Sequence, residues 1–341
     1  MMRRPLALGS LLFALLLAGT AAAADAEDCA SDTPAVSIPA CTRIIGRAGE
    51  PDDNIAEAIA NRGKAYMLLN DFNRAIADLD EALRRRPQHG VAHHNRGVVY
   101  LQQGEFEKAL ADFTEATRLS PQDAESRFAR GRTYHAMGKI DLALADFDAA
   151  IKIDARHVDA LISRGALLAS TGKPEQALKD YDEALRIDPN NADAYSNRGS
   201  LYLMTSRFPQ AMADLNQAIK LDPANEMAYL NRGMTYVFQK QFDRAISDFD
   251  RALRLNPRNS HVLVQRATAY FFKKQPDRAL ADLNEAIRLD SKSLQAHKLR
   301  AAVHSGSGRR DQAIADFRKA LELDPSDQSV KKGLADLGAA Q

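Results

Sequence analysis

The side chains of this 341-residue sequence that could ligate a metal or move a proton are eight histidines, two cysteines and 45 carboxylates. Only His89, His93 and His94 cluster, and no carboxylate or thiol stands near them at ligand spacing. Gly63-Lys64, Gly138-Lys139 and Gly172-Lys173 lack the preceding glycine spacing and the following hydroxyl with which a phosphate loop holds a nucleotide. Ser305-Gly306-Ser307-Gly308 surrounds serine with glycine, but no strand precedes it to build a nucleophile elbow. The sequence therefore offers no catalytic residue, no metal ligand set and no cofactor site. Most of its carboxylates recur at a fixed interval, which marks them as scaffold.

The recurring chemistry is a pairing of arginine with aspartate. Arg62, Arg96, Arg130, Arg164, Arg198, Arg232, Arg266 and Arg300 stand 34 residues apart, as do Asp78, Asp112, Asp146, Asp180, Asp214, Asp248, Asp282 and Asp316. A charge at a partly buried site needs a partner. The spacing predicts an Arg–Asp ladder joining one helix to the next, within a repeat or between repeats. A feature that serves every copy is architecture rather than a site.

The elements that carry the ladder follow from the same period. Each Arg precedes a small residue, Gly63, Gly97, Gly131, Gly165, Gly199, Gly233, Ala267 and Ala301. Alanine columns begin at Ala75 and at Ala82 and recur in all eight copies. In the copy from Asp193, Tyr195, Gly199 and Tyr202 share one helical face and Ser206-Arg207 interrupts it; Ala211, Leu215, Ala218 and Ile219 then mark a second helix, which Asp222-Pro223 ends. Asp123, Asn191, Asn225, Asn259, Ser293 and Asp327 are placed to cap the next helix. Between the two helices Asn70, Gly104, Gly138, Gly172 and Gly308 can take the left-handed conformation. Lys240 and Lys274 replace them in the sixth and seventh copies, whose turns are expected to be less tightly specified.

The 34-residue period, the small residue, the tyrosine three positions on (Tyr66, Tyr100, Tyr134, Tyr202, Tyr236 and Tyr270), the alanine pair and the closing proline resemble the tetratricopeptide repeat family. The resemblance covers residues 56–327 as eight units: 56–89, 90–123, 124–157, 158–191, 192–225, 226–259, 260–293 and 294–327. It implies an all-α solenoid, a right-handed superhelix of antiparallel helix pairs whose first helices line a concave groove. The arginine before the small residue departs from the family, in which that position is commonly apolar.

The family fixes which positions of the first helix face the groove. Asn61, Asn95, Asn197 and Asn231 occupy one of them and, by resemblance, would bond the backbone of an extended peptide; bridging neighbouring helices is the other reading. Leu230, Met234, Val237, Phe238, Val264, Phe271 and Phe272 form an apolar stretch that either receives a peptide or, at the paired phenylalanines, closes the core between repeats. The carboxylate clamp with which chaperone-binding members grip a C-terminal EEVD tail is missing. Lys298 is followed by Ala302 where Asn is required, Lys64 is out of position, and Glu57, Glu125, Asp159 and Asp193 occupy the place of a clamp lysine.

The ends complete the reading. Arg3-Arg4, the apolar run Leu6–Ala18 and Ala22-Ala23-Ala24 have the layout of a secretory signal peptide over 1–24. Residues 25–55 form an N-terminal cap resembling a second helix without its first, and 328–341 a closing helix with Val330, Leu334 and Leu337 on one stripe. In an oxidising compartment Cys29 and Cys41 would pair, with two free thiols as the alternative. A formal charge of +1 gives the whole chain no electrostatic footprint for nucleic acid or an anionic membrane. The expectation is a non-enzymatic scaffold of the bacterial envelope, periplasmic or secreted, without stable membrane insertion after signal cleavage, holding an extended segment of a protein partner. The alternative is a glycan- or lipid-binding accessory subunit of an envelope enzyme complex that uses the same groove.

Overall fold

A computed structural model describes residues 23–339, so the expected leader lies outside the described residues except for Ala23 and Ala24. Those two already belong to a helix, α1, over residues 23–29. It is followed by α2 (Pro34–Ile45). The cap is thus a helix pair rather than a second helix alone, and a Cys29–Cys41 disulfide joins its members, with Cα atoms 4.7 Å apart. The Ser37 hydroxyl donates to the Cys29 carbonyl at 2.9 Å, and both cysteines are buried.

Every later element is helical, and no strand occurs among the described residues. The pairs are α3 (Asp52–Leu68) with α4 (Phe72–Arg85), α5 (Gly90–Gln102) with α6 (Phe106–Leu119) and α7 (Ala124–Ala136) with α8 (Ile140–Ile153); α9 (Val158–Ser170) and α10 (Pro174–Ile187) follow. Then come α11 (Ala192–Met204) with α12 (Phe208–Leu221), α13 (Glu226–Phe238) with α14 (Phe242–Leu255), α15 (Ser260–Phe272) with α16 (Pro276–Leu289), α17 (Leu294–Gly306) with α18 (Arg310–Leu323), and α19 (Gln328–Asp336). The chain divides into two compact units, unit 1 ending at Leu167 and unit 2 beginning at Leu168.

Within each unit the two alanine columns form the axis of the core. All sixteen alanines are at most 1% exposed, because small side chains let neighbouring helices approach closely. A large residue four positions after the first alanine, such as Phe113 or Phe249, then lies flat on the small residue of the first helix. A Cβ on Gly97 would stand 2.8 Å from Phe113, and one on Gly233 2.6 Å from Phe249. Glycine at these positions is a requirement of close approach, not of backbone conformation.

Caps and turns are regular. The side chains of Asp123, Asn191, Asn225, Asn259, Ser293 and Asp327 each accept a hydrogen bond from the first turn of the following helix. All eight turns inside the pairs contain one left-handed residue, and Ser206 joins the expected set. Lys240 and Lys274 adopt it too, at φ 59° and 58°, and their turns close with the same bonds as the glycine turns. Gln241 N–H donates to the Tyr236 carbonyl at 2.8 Å, as Glu105 N–H does to that of Tyr100 at 2.9 Å. The two lysine turns thus share the geometry of the glycine turns. The closing hydrogen bonds come from the backbone, so the side chain alters the energy of the turn and not its geometry.

Candidate functional site

The ladder comes first, because it positions everything else. Seven of the eight Arg–Asp pairs lie inside one unit, and in each the guanidinium grips the carboxylate with two parallel bonds. Arg96 Nε and Nη2 lie 2.8 and 2.7 Å from Asp112, and Arg232 Nε and Nη2 2.8 and 2.7 Å from Asp248. Arg62, Arg130, Arg198, Arg266 and Arg300 hold Asp78, Asp146, Asp214, Asp282 and Asp316 in the same way. Asp180 is buried, and Arg164 donates to Asp148 at 2.7 Å.

The third arm of each arginine reaches back to the preceding pair. Arg96 Nη1 meets Asp80 and Arg266 Nη1 meets Asp250, both at 2.6 Å, while Arg232 and Arg300 find Asn216 and Asn284. The ladder thus runs within and between repeats at once; apart from Arg62 and Arg130, whose third arms reach Thr42 and Thr117, the acceptor is the residue two after a ladder aspartate, the partner that the sequence reading missed. The bidentate bond to Asp112, reinforced by Asp80, pushes Arg96 above its ordinary range. Burial pushes Asp112 up, but the bonds from Arg96 and from His93, 2.8 Å away, outweigh it and hold the carboxyl below the usual range. Cation–π contacts complete the seat, with Arg198 over Tyr195 at 5.6 Å and Arg232 over Tyr229 at 5.6 Å.

The histidine cluster serves the same framework. His94 Nδ1 lies 2.8 Å from the Ser126 hydroxyl, which donates to Asp123. Serine stands between histidine and aspartate, so its proton is directed to the carboxylate and no base activates it as a nucleophile. Burial holds His94 below its ordinary pKa. No group of histidine, cysteine and carboxylate that could hold a metal occurs among the described residues.

The groove residues separate into two sets. Leu230, Val264, Asn95 and Asn231 are 3%, 3%, 4% and 6% exposed, which corrects their assignment to a ligand-facing surface. A first helix packs against second helices on two sides, and the sequence pattern does not resolve rotation about its axis. Leu230 and Val264 accordingly lie in core clusters, and the Asn95 side-chain amide donor is buried without a partner among the described residues. Asn61 lines a pocket of about 480 Å3 in unit 1 with Ala23, Cys29, Arg47 and Glu57. Asn197 is half-buried.

The exposed groove residues of unit 2 are apolar. Phe238 and Phe272 are 61% and 55% exposed, with Met234, Val237 and Phe271 half-buried beside them. Phe208 stacks on Phe238 at 5.6 Å and Phe242 on Phe272 at 5.5 Å. Of the paired phenylalanines, Phe271 packs on the core and Phe272 does not. Met204, a neighbour that the sequence reading did not single out, is 69% exposed; its register, 34 residues before Phe238, was the signal available.

Comparison with known proteins gives a consistent pattern. Profiles described as tetratricopeptide repeat match residues 61–124, 124–157, 192–225, 227–259, 260–293 and 294–327, and one described as TPR repeat matches 165–206. No curated protein matches the sequence significantly. Among solved structures the chain is similar to one described as the APC/C hetero-tetramer Cut9-Hcn1, at 19% identity and a TM-score of 0.67. That match covers 88% of this chain, which spans 58% of the other. It is also similar to Pseudomonas aeruginosa pilF, at 20% identity and a TM-score of 0.55, over 62% of this chain and 97% of that one. At such identities the likeness is one of fold.

Proposed function

Given that the chain belongs to the tetratricopeptide repeat family, whose fold is that of a protein–protein interaction scaffold, we propose that it is a non-enzymatic adaptor of the bacterial envelope. Its first helices in unit 2 receive an extended apolar segment of a protein partner. The observation that carries this reading is the exposed and half-buried set Met234, Val237, Phe238 and Phe272 on successive first helices. Apolar surface concentrated in this way marks recognition. Adaptable methionine and rigid aromatic side chains together suit a partner of apolar sequence. The buried Cys29–Cys41 disulfide supports export, since such bonds persist in oxidising compartments.

The test is site-specific photo-crosslinking in the intact cell. A photoreactive residue at Met234 is expected to capture one dominant partner segment, and Val237→Glu to abolish the capture. Capture no greater than from a probe at the exposed Arg186 would sink the proposal. N-terminal sequencing of the purified protein checks export, with Asp25 expected as the first residue.

A further inference from the structure

The turn that joins the two helices of each pair lies at one end of the pair, and the loop to the next repeat at the other, about 20 Å away for helices of 13 or 14 residues. In unit 2 these two edges differ sharply in charge. Over 171–177, 205–211, 239–245, 273–279 and 307–313 there are nine basic and four acidic residues; over the opposite loops, 188–194, 222–228, 256–262, 290–296 and 324–330, there are two basic and seven acidic. The separation exceeds the screening length of about 8 Å at physiological salt, so each edge acts on its surroundings by its own charge. The near-neutral total conceals this division.

The basic edge also carries the exposed apolar side chains. Met204, Phe238 and Phe272 end their helices, and two residues after each comes the left-handed residue, Ser206, Lys240 and Lys274. Lys240 and Lys274 are exposed and have no carboxylate within ion-pair distance among the described residues. Between successive turns lies a pocket of about 230 Å3 lined by Lys240, Gln241, Phe242, Asp243, Arg244 and Lys273. Its one carboxylate, Asp243, is ion-paired with Lys273, and Arg244 donates to Gln241 at 2.9 Å.

We propose that this edge docks unit 2 peripherally on an anionic phospholipid bilayer. A phosphate head-group sits among Lys240, Arg244 and Lys273, and Phe238 and Phe272 enter the interface. Aromatic and basic side chains alternating in a row of turn apices match a planar charged surface with apolar material beneath it. A second copy of the chain fits less well. The acidic edge of unit 2 exposes one large apolar side chain, Met227, and cannot cover two phenylalanines. No described helix is long and apolar enough to cross a membrane, so the contact is a surface one. It lies at the turn edge and shares Phe238 and Phe272 with the first-helix surface assigned above to a peptide, so bilayer and peptide compete for those two side chains.

Vesicle co-sedimentation with the full mature chain tests the proposal. Binding is expected to vesicles of 30% phosphatidylglycerol in phosphatidylcholine and not to pure phosphatidylcholine, and to be lost in half-molar salt. Each basic residue at such a surface contributes roughly fivefold, so K240G/K274G is expected to weaken binding about 25-fold. Because glycine suits both turns, that variant stays folded. F238S/F272S, altered at exposed sites, is expected to weaken binding while helicity is unchanged. Absence of binding, equal binding to neutral vesicles, unaltered binding by K240G/K274G, or displacement by millimolar inorganic phosphate would overturn the proposal. So would a salt-sensitive dimer, seen by sedimentation, that the same lysine variant abolishes, since the edge would then belong to a second copy.

Discussion

In unit 1 the turns within pairs are formed by Asn70, Gly104 and Gly138, and the first helices α3, α5, α7 and α9 begin at Pro51, His89, Asp123 and His157; in unit 2 the turns carry Gly172, Ser206, Lys240, Lys274 and Gly308, and the starts are Asn191, Asn225, Asn259, Ser293 and Asp327. The unit 2 starts all cap their helices, whereas His89 makes no cap bond and instead lies 3.1 Å from Glu57 of the preceding pair, which it holds below the usual carboxylate range. Unit 1 is closed by a disulfide-joined helix pair and unit 2 by a single helix, α19. The framework of alanine columns and Arg–Asp rungs is common to both. Identity between the units therefore reports on folding, and difference between them is where function can reside.

The largest effects should come from breaking what the units share, and they should be equal. Arg130→Met in unit 1 and Arg232→Met in unit 2 each strand a nearly buried aspartate, Asp146 and Asp248. Each is expected to cost about 3 kcal/mol, the low end for a buried pair because the arginines are about a fifth exposed. Hydrogen exchange, which reads the units separately, checks this; a cost confined to one unit would break the claim of a common framework. The sign with pH follows from Asp112. Its folded pKa is depressed, so its rung with Arg96 contributes above the unfolded value near 4 and is lost as acid protonates the carboxyl.

The next effect should separate the units. Opening the 12-residue Cys29–Cys41 link by Cys29→Ser with Cys41→Ser is expected to cost about 2–3 kcal/mol, by freeing the unfolded chain, and to lower protection in unit 1 only. Comparable loss in unit 2 would show that the two do not respond independently. A smaller effect on the other side is Asn225→Ala, which removes the 2.9 Å bond to the Ala228 N–H and should cost about 1 kcal/mol in unit 2 by urea titration. His89→Ala leaves the helix start unchanged, since no cap bond is lost.

How far the sequence could be read follows the same division. The 34-residue period places the helix pairs, turns and caps, because each depends on local chemistry repeated eight times. It also brings Arg62 to Asp78 and their counterparts together, but not the third arm to Asp80 or Asn216, which depends on how successive pairs stack. Leu230 and Val264 were misread because a helix buried on two sides has no single polar face to fix its rotation. The charge division of unit 2 escaped because composition sums over both edges, whereas only the fold assigns Lys240 to one and Glu226 to the other.

The smallest effect has the opposite sign. A left-handed backbone costs a side-chain-bearing residue on the order of 1 kcal/mol, and glycine gives back part of this through its freer unfolded chain. Lys240→Gly and Lys274→Gly should therefore each stabilise unit 2 by about 0.5–1 kcal/mol, raising the urea midpoint and leaving unit 1 unchanged. Gly104, Gly138, Gly172 and Gly308 show that the same turn is made without that cost. If the midpoint rises, the lysines are a burden on the fold, and what retains them must be sought in what the turn edge meets. If the midpoint falls, the lysine stems support the turn by packing, and the contrast between the units reduces to a difference in stability.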